Sequence, residues 1–416
     1  MNSQARRLLL WCGSGVVAVA ATGWVMYQVV TTLGRPAQIQ TGLDFLNNTW
    51  RAVRGLLSGD NIYALAHVTI PEIGSGLAVV SPHTPGSLLW QAPFAALPPR
   101  PAVYAYAFFS ILAIWAGVFI LTQPKDPTAV FLSACCGAFA VCIGAGQMNL
   151  LLGQSTAFTL LGLAVLVRAR QPWVAGLGFM LAASTLQTGL PLALALLVLG
   201  NWRVVWRGTV LVVASSLPPL GLEIANAGFR PVVTSFVSAG GVHLGLLSHR
   251  IDLGALLQRL GVSSVAIQTG AEILVAALAL AFLARLPPDL RRLDYPPVLC
   301  LVVSFTLLCT YHEPYDMLLV GAAVVPAILV NDQSRAMMPA FGLAGTSAGT
   351  ASSIIALYFA PAALLGMGIS SALALRHTAA SDVRLAEHHR LDRHPAGRTG
   401  PLTQPEPAGQ EIPPAG

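Results

Sequence analysis

Long stretches without a charged residue constrain the fold of this chain more than any other feature. Asp, Glu, Lys and Arg are absent from residues 8–34, 101–124, 127–167 and 336–375. About 20 apolar residues are enough to cross the roughly 30 Å hydrocarbon core of a bilayer, so the two longest stretches each have room for two crossings. The sequence therefore predicts an all-α protein, a polytopic transmembrane helical bundle.

Composition excludes several other classes of protein. Charged residues make up 10% of the chain, against roughly 25% in soluble domains. The net charge of +6 could suggest nucleic-acid binding, but the excess arginines lie beside predicted spans, where they set topology. All six cysteines fall inside apolar runs and are expected to pack as small hydrophobic side chains, so we predict neither disulfides nor a zinc site. The sequence also lacks phosphate-binding loops and HExxH-type motifs, and we expect no cofactor and no metal.

Basic residues between the apolar segments orient the predicted spans. Lys and Arg are retained on the cytoplasmic side, so the basic clusters place both termini in the cytoplasm and two long loops, at about 35–100 and 226–265, on the outer face. The first span is expected to be retained, because 8–34 is longer than the roughly 7 to 15 apolar residues of a typical signal peptide. We predict about 12 spans, near residues 8–31, 101–123, 128–146, 150–167, 172–186, 189–200, 208–225, 267–284, 296–311, 315–331, 336–352 and 355–375.

One break among these spans allows two interpretations. The sequence TLQTGLP places Gly189 and Pro191 between two short apolar segments. The break is either a tight loop between two spans or a kink in one helix, and a kink would invert every later span. Irregular backbone at membrane depth also lines wet cavities, so the break is a possible site.

The domain organisation is simple. Residues 1–376 are predicted to form one transmembrane domain, and residues 377–416 a disordered cytoplasmic tail. The tail has no apolar periodicity and ends in TQPEPAGQEIPPAG, a composition that cannot bury a core. No internal repeat relates the two halves of the chain, which weighs against a secondary transporter.

Each outer loop contains a predicted amphipathic helix that lies in the membrane interface. The apolar face of the first carries Leu46, Trp50, Val53 and Leu57, and its polar face carries Asn47, Arg51, Arg54 and Ser58. The apolar stripe of the second carries Leu253, Leu256, Leu257 and Leu260, with Asp252, Gln258 and Arg259 off the stripe.

Asp44 begins the first amphipathic helix and is the main candidate for acid–base chemistry. A carboxylate at the wall of an outer cavity could take a proton from a hydroxyl group, with burial raising its pKa toward the working range. Asp is also favoured just before a helix and near its positive end. On spacing alone, helix capping is the stronger of these two alternatives.

Several other polar residues are candidates for substrate binding. Arg51 and Arg54 could bind a phosphate through paired donors, or could attract anionic headgroups. His83 in SPHTPG could hold a hydroxyl or a phosphate, or could be an exposed loop residue. Gln147 and Asn149, predicted to lie in an outer turn, could bind sugar hydroxyls or cap helices.

A dense polar cluster late in the chain is the last candidate. YHEPYD, residues 311–316, places His312, Glu313, Tyr315 and Asp316 between two apolar runs. Ionisable groups at a membrane boundary are functional candidates by default.

The order of these features resembles glycosyltransferase family 87, the polyprenol-phosphate-dependent membrane enzymes that include mannosyltransferases and some arabinofuranosyltransferases of cell-envelope assembly. The matching motifs are LDF after the first span, GDNIY before SPHTPGSLLWQAPFAALPP, GQMNLLL, AGLGFMLAASTLQTGLPLALALLVLGNWR and YHEPYDMLLV. They extend over most of residues 40–330, and their order and spacing are more specific than any one motif.

The resemblance implies a GT-C fold with an outward-facing cavity, a lipid-linked sugar donor that enters from the membrane, and an Asp in the first outer loop that acts as base. Asp44 matches that Asp, so the resemblance favours the base over the helix cap. His312 falls in the late polar turn where such enzymes place donor or acceptor contacts. Many relatives have Lys in the stretch that corresponds to STLQTGLP; here Gln187 stands in that stretch, and the phosphate contact is either lost or supplied by Arg51 or Arg54.

We therefore predict a hexosyl- or pentosyltransferase of a bacterial cytoplasmic membrane. It would move a mannose- or arabinofuranose-like sugar, with inversion, from a polyprenyl-phosphate donor to an envelope glycolipid or glycan acceptor on the outer face. Asp44 would deprotonate the acceptor, and Arg51, Arg54 and His312 would offset charge on the leaving phosphate. The alternative is a transporter or lipid flippase that uses TLQTGLP and YHEPYD as a midplane site, and an inactive scaffold is supported only by Gln187.

Overall fold

In the part of the chain that the structure describes, the fold is a bundle of helices with one short β-hairpin. The computed structural model describes residues 3–33, 43–62, 66–70, 74–78, 84–235, 250–310, 312–324, 360–376 and 378. The α-helices are α1 (Ser3–Leu33), α2 (Leu43–Phe45), α3 (Arg51–Ser58), α4 (Pro85–Ala95), α5 (Pro99–Thr122), α6 (Pro127–Cys142), α7 (Gly144–Leu152), α8 (Thr156–Arg168), α9 (Pro172–Ala182), α10 (Leu186–Val198), α11 (Trp202–Ala227), α12 (Leu253–Arg259), α13 (Val265–Ala284), α14 (Pro296–Cys309) and α15 (Ala360–Arg376).

Shorter elements complete the described chain. Two π-helical turns lie at Leu46–Trp50 and Val320–Val324, and two 3₁₀ helices at Pro288–Leu290 and Pro314–Met317. The hairpin pairs β1 (Ala66–Ile70) with β2 (Gly74–Ala78) in antiparallel register, with Ala66 opposite Ala78. Several helices begin at a proline, whose fixed φ suits the first helical position and whose missing N–H would be unbonded there in any case.

Among the described residues, four helices are long and apolar enough to cross a membrane, namely most of α1 and the whole of α5, α11 and α13. α6 and α7 satisfy the same criterion together, although they are bent by 60° relative to each other. The other apolar helices are shorter, at 10–17 residues. The helical membrane bundle is thus confirmed. The number of spans stays a prediction, and the predicted span at 336–352 lies outside the described residues.

Glycines bring α8 and α9 into close contact. A Cβ on Gly162 would lie 2.5 Å from the backbone nitrogen of Ala182 and 2.6 Å from the carbonyl oxygen of Gly178. Small residues at such crossings let two backbones approach where no water-driven hydrophobic effect operates. α8 also packs against α5, and α9 against α11, so this crossing lies inside the bundle.

The bend between α6 and α7 corrects one sequence prediction. A Cβ on Gly146 would lie 1.9 Å from the carbonyl oxygen of Ala140, so the approach across the bend requires glycine. Gln147 and Asn149 were predicted to lie in an outer turn between spans. They lie instead inside α7, and the chain turns at 153–155, because helical residues continue past the bend to Leu152.

The break between α9 and α10 also differs from the prediction. It lies at residues 183–185, whereas Gly189 and Pro191 are inside α10. Pro191 has no N–H to bond the carbonyl of Gln187 one turn earlier. That carbonyl oxygen accepts a hydrogen bond of 2.9 Å from the Thr310 hydroxyl instead. Pro191 is thus tolerated within α10, because Thr310, the residue after α14, bonds the carbonyl that the proline leaves free.

The amphipathic segment after α1 is helical, as predicted, but its faces differ from the prediction. Leu57 is 73% exposed and Arg51 only 5% exposed, whereas Leu56 is buried. The π-helical turn at Leu46–Trp50 is wider than an α-helical turn and rotates the residues that follow it. The predicted placement of Leu57 on the apolar face and Arg51 on the polar face is therefore wrong.

Aromatic contacts fix this segment on α4 and α5. Phe45 stacks on Tyr106 with ring centroids 4.3 Å apart, and Trp50 Nε1 donates a hydrogen bond of 2.9 Å to the carbonyl of Leu97. Both aromatic side chains belong to a buried cluster that the segment shares with α4 and α5. Asp44, next to Phe45, is consequently held at a defined position beside the bundle.

By its internal contacts the chain divides into residues 1–375 and 376–416. The tail predicted from residue 377 onward lies outside the described residues, apart from Thr378. Its predicted disorder therefore stays a prediction.

Candidate active site

Asp44 faces the turn that joins α7 to α8. It is the second residue of α2, and its Oδ2 accepts a hydrogen bond from Gln154 Nε2. Burial raises the pKa of the Asp44 carboxyl above its usual range, and the hydrogen bond from Gln154 partly opposes that rise. In the described part of the chain its carboxylate bonds a distant side chain and no backbone N–H of its own helix. This geometry suits a proton acceptor better than a helix cap.

The turn at residues 153–156 is short and tightly specified. Gly153 has φ of 74°, the left-handed conformation that ends α7. The backbone N–H groups of Gly153 and Gln154 donate to the carbonyl of Asn149 at 3.0 and 2.9 Å. Thr156 then begins α8. The turn thus presents the side chains of Gln154 and Thr156 from a backbone that is already hydrogen-bonded.

The other end of this turn contacts the late polar cluster. Thr156 Oγ1 donates a hydrogen bond of 2.6 Å to Asp316 Oδ1, and Asp316 Oδ2 lies 2.8 Å from His312 Nδ1. The backbone N–H of Glu313 also donates to Asp316 Oδ2, at 3.3 Å. An aspartate that bonds Nδ1 orients the imidazole and leaves Nε2 as its second functional atom. One turn of four residues therefore contacts both Asp44 and the His312–Asp316 pair.

Two polar groups near this turn are fully buried without a hydrogen-bond partner among the described residues. His312 is 1% exposed and its Nε2 has no such partner. Asn149 is 0% exposed, and neither its Oδ1 nor its Nδ2 has one. Asn149 lies on α7, which packs against the 3₁₀ helix Pro314–Met317. Because buried polar atoms are normally bonded, these atoms are suited to meet polar groups of a substrate or water.

A buried charge network flanks the residue that hydrogen-bonds the His312 backbone. Arg250 makes a bidentate pair with Asp252 at 2.7 and 2.8 Å and lies 3.9 Å from Glu272 Oε1. Ile251 lies between Arg250 and Asp252 in the chain. Its N–H donates a hydrogen bond of 2.9 Å to the carbonyl of His312. Among the described residues no group of three or more His, Cys, Asp and Glu side chains is placed to hold a metal ion.

This network involves the start of the predicted second amphipathic helix. Asp252, predicted to lie off the leucine stripe, is 0% exposed and caps α12 by accepting a hydrogen bond of 2.9 Å from the Ala255 N–H. Because Asp252 both caps α12 and pairs with Arg250, the polar start of this helix is buried. The periodicity of the leucines does not reveal this.

The two arginines of the first amphipathic helix have different surroundings. Arg51 is buried and donates from Nη1 to Asn47 Oδ1. Arg54 is exposed, donates from Nε to the carbonyl of Ala95 at 2.9 Å, and lies over the Trp50 ring at 5.1 Å. Only Arg54 therefore presents a solvent-facing guanidinium, as expected for a group that meets phosphate.

The remaining predicted site residues are distributed around the turn. Gln147 is half-buried on α7, and Tyr315 is buried beside Asp316. The Gln187 backbone meets Thr310, two residues before His312. His83 lies outside the described residues. The structure thus brings Asp44, His312 and Asp316 to one turn, and Gln187 close to the same chain segment.

Sequence reasoning missed Gln154, Thr156 and Arg250. Gln154 ends the motif GAGQMNLLLGQ, and Thr156 follows a serine at the start of an apolar run, so both look like ordinary residues of a helix boundary. The available signal was a polar Gln-Ser-Thr triplet inside the long uncharged stretch 127–167. Its partners lie 110 and 160 residues away, which no local pattern reveals.

Comparison with known proteins identifies the family. The family model described as Glycosyltransferase family 87 matches residues 82–310, more than half of the chain. The chain belongs to glycosyltransferase family 87. No curated protein and no solved structure matched the chain. The match contains Asn149, Gln154, Thr156 and Gln187, while Asp44 precedes it and the YHEPYD cluster follows it.

Membership establishes a glycosyltransferase with apolar helices of membrane-spanning length. A sugar donor and an acceptor are thus implied, in a membrane environment. This favours the predicted enzyme over the predicted alternative of a transporter or flippase.

Proposed function

We propose that this family 87 enzyme transfers a sugar from a polyprenyl-phosphate donor to a glycolipid or glycan acceptor, and that Asp44 is its general base. The main support is the arrangement around residues 153–156, where one turn contacts both the partly buried Asp44 and the His312–Asp316 pair. A general base works best when its pKa lies near the working pH. Burial raises the pKa of Asp44 in that direction.

The proposed reaction is a single displacement with inversion. Asp44 takes the proton of an acceptor hydroxyl as that oxygen attacks the anomeric carbon. The new carbon–oxygen bond forms as the bond between the anomeric carbon and the donor's phosphate oxygen breaks. The electron pair of the broken bond leaves with the polyprenyl phosphate, and the proton stays on Asp44 until water removes it.

Cationic and donor groups would stabilise the leaving phosphate. His312 Nε2, when protonated, is a buried donor held in orientation by Asp316. Arg54 offers an exposed guanidinium on α3. Preorganised donors of this kind stabilise charge that develops in the transition state. Arg51, which the sequence analysis grouped with Arg54, is buried and is better suited to holding the helix. The backbone carbonyl of Gln187 accepts from Thr310 and so supports the segment before His312.

An apolar groove offers a place for the lipid chain of the donor. It has a volume of about 430 Å³ and lies between α13, α14 and α15. Its walls include Phe282 and Phe305, and Leu308 at one point is only four residues before His312. A groove lined by such side chains suits an isoprenoid chain. In the predicted topology the His312 end of α14 is on the outer face, so donor and acceptor would meet there.

Asp44→Asn tests this proposal. Asn caps helices about as well as Asp, so a capping role predicts nearly normal transfer. A base role predicts normal abundance and a loss of transfer of about 10² to 10⁴-fold, the usual contribution of a general base. Transfer is measured with purified enzyme in liposomes and a panel of polyprenyl-phosphate sugars.

Asp126→Asn is the matched control. Asp126 is an exposed aspartate that caps α6 by accepting from the backbone N–H groups of Thr128 and Ala129 at 2.8 and 2.9 Å. It should retain full transfer. Undiminished turnover of Asp44→Asn would remove Asp44 as the base and make Asp316 the next candidate.

A further inference from the structure

Gln154 reaches Asp44 from a different part of the chain. Its side-chain amide donates to one oxygen of the Asp44 carboxylate, Oδ2, across a separation of 110 residues. Among the described residues, no hydrogen bond reaches the other oxygen, Oδ1, which could therefore meet a substrate group. An amide that donates to one carboxylate oxygen fixes the plane of the carboxylate and so the direction of its second oxygen.

The side chain of Gln154 is not needed to end α7. The left-handed Gly153 and the backbone N–H groups of Gly153 and Gln154 already satisfy the carbonyl of Asn149. A residue with only a backbone role in the turn could be any polar type. The glutamine side chain is long enough to span from this turn to α2, which a serine or asparagine would not do.

Thr156 connects the same turn to the other half of the site. Its hydroxyl donates to Asp316 Oδ1 at 2.6 Å, and the other oxygen of Asp316 bonds His312 Nδ1 at 2.8 Å. Gln154 and Thr156 are separated by one residue. Side chains of a single hydrogen-bonded turn therefore contact both carboxylates.

We propose that Gln154 is a positioning residue that orients the Asp44 carboxylate, directs Oδ1 toward the acceptor hydroxyl and favours the ionised form of the base. This inference rests on the proposed role of Asp44. The amide acts only through Asp44 and takes no proton itself. Its N–H donor stabilises the carboxylate against the effect of burial, so the base remains ionised at a lower pH than it would without Gln154.

In the part of the chain that the structure describes, few charged groups lie on the elements that pack against α2. α2 packs against α7 and against the π-helical turn Leu46–Trp50, and neither contains a titratable side chain. The next charged groups on contacting elements are Arg51 on α3, whose Nη1 bonds Asn47, and the His312–Asp316 pair, which is reached through Thr156. The pKa of Asp44 is accordingly raised by burial and lowered by the Gln154 bond.

Gln154→Met tests the inference, because methionine keeps the length and volume of glutamine but has no N–H donor. The protonated carboxyl of Asp44 is titrated by infrared difference spectroscopy on purified enzyme in liposomes, with the band assigned by its absence in Asp44→Asn. Loss of a hydrogen bond to a charged group should raise the pKa of Asp44 by about one unit. The acidic limb of kcat/KM, where transfer is measured with polyprenyl-phosphate mannose, should move to higher pH by the same amount.

Gln171→Met is the matched control, since Gln171 is exposed before α9. It should change neither titration. An unchanged Asp44 titration in Gln154→Met would overturn the inference, as would a loss of transfer by the same factor at every pH, which indicates a structural role. Gln154→Glu gives a second test if the methionine variant is poorly folded, because a second carboxylate beside Asp44 should raise its pKa still further.

The two proposals fail differently. If Asp44→Asn retains full transfer, Asp44 is not the base, whatever Gln154 does to its titration. If Asp44→Asn is inactive while Gln154→Met titrates as the parent does, the base survives and only the positioning role is lost.

Discussion

Two arginines three residues apart show how strongly the local environment decides a side chain's role. Arg51 is turned into the protein by the π-helical turn before it, whereas Arg54 faces out over Trp50. Helical spacing alone assigns both to one polar face. Burial also lowers the pKa of Arg51, but the guanidinium remains protonated. Because the buried charge needs a hydrogen-bond acceptor, its bond to the side-chain oxygen of Asn47 is important.

Alanine substitutions should separate the two arginines. Arg51→Ala removes a buried hydrogen bond and leaves Asn47 without that partner, so it should lower the stability of the protein by roughly 1 to 3 kcal/mol. Arg54→Ala should melt close to the parent and weaken use of the lipid-linked donor by about tenfold, the loss of one charge-assisted bond to phosphate. The measurements are thermal melting in detergent and KM for the donor. A normal melting temperature for Arg51→Ala with lost donor binding would assign the phosphate contact to Arg51 instead.

Residue types predicted part of the site. Asp44 and His312 stand out because an ionisable group beside an apolar run needs a reason to be there. Gln154 and Thr156 do not stand out, since amides and hydroxyls are common at helix ends. Their importance comes from partners more than 100 residues away, and that information is contained only in the tertiary structure.

At the scale of elements, the crossing of α8 and α9 depends on two glycines. Like Gly162, Gly178 has no room for a side chain, since a Cβ there would lie 2.5 Å from the backbone nitrogen of Leu166. The obstacles are backbone atoms, which cannot rotate away as a flexible side chain can. α8 starts at Thr156, so any shift of this crossing would also move the turn at 153–156.

Gly162→Ala should therefore destabilise the protein although alanine favours helices. Overpacking of this kind costs about 1 to 3 kcal/mol. Gly270→Ala, on α13 with open space around it, should be neutral or slightly stabilising. Melting temperatures of both variants in the same detergent decide between them. Equal melting of the two variants would show that α8 and α9 can separate without loss.

Hydropathy predicted the helices but not their bends. An apolar run must be helical in a membrane, because its backbone groups can only bond each other there. The bend before α7 depends on the close approach of Gly146 to Ala140, and Pro191 is accommodated inside α10 by the contact of Thr310 with Gln187. Such contacts join different helices or different turns, so the residue at which a run bends cannot be inferred from its hydrophobicity.

At the scale of the whole molecule, the sequence predicts the orientation of the chain in the membrane. The basic residues predict that both termini are cytoplasmic and that the predicted loop at about 35–100, with Asp44, is external. Reporter fusions after Arg376 should then be active in the cytoplasm, and fusions within residues 60–80 should be active outside. A cytoplasmic signal from the 60–80 fusions would put the candidate active site on the other face of the membrane.

The turn at residues 153–156 has a consequence for how sequences of this family can vary. Its two contacts point to different parts of the chain, so its function as a spacer depends on the number of residues as much as on their identity. Insertion or deletion of one residue would rotate Thr156 relative to Gln154 and break one of the two contacts. Relatives that use the same arrangement should therefore tolerate substitutions elsewhere in this turn and show gaps in the loops around it, but keep the length of this segment constant.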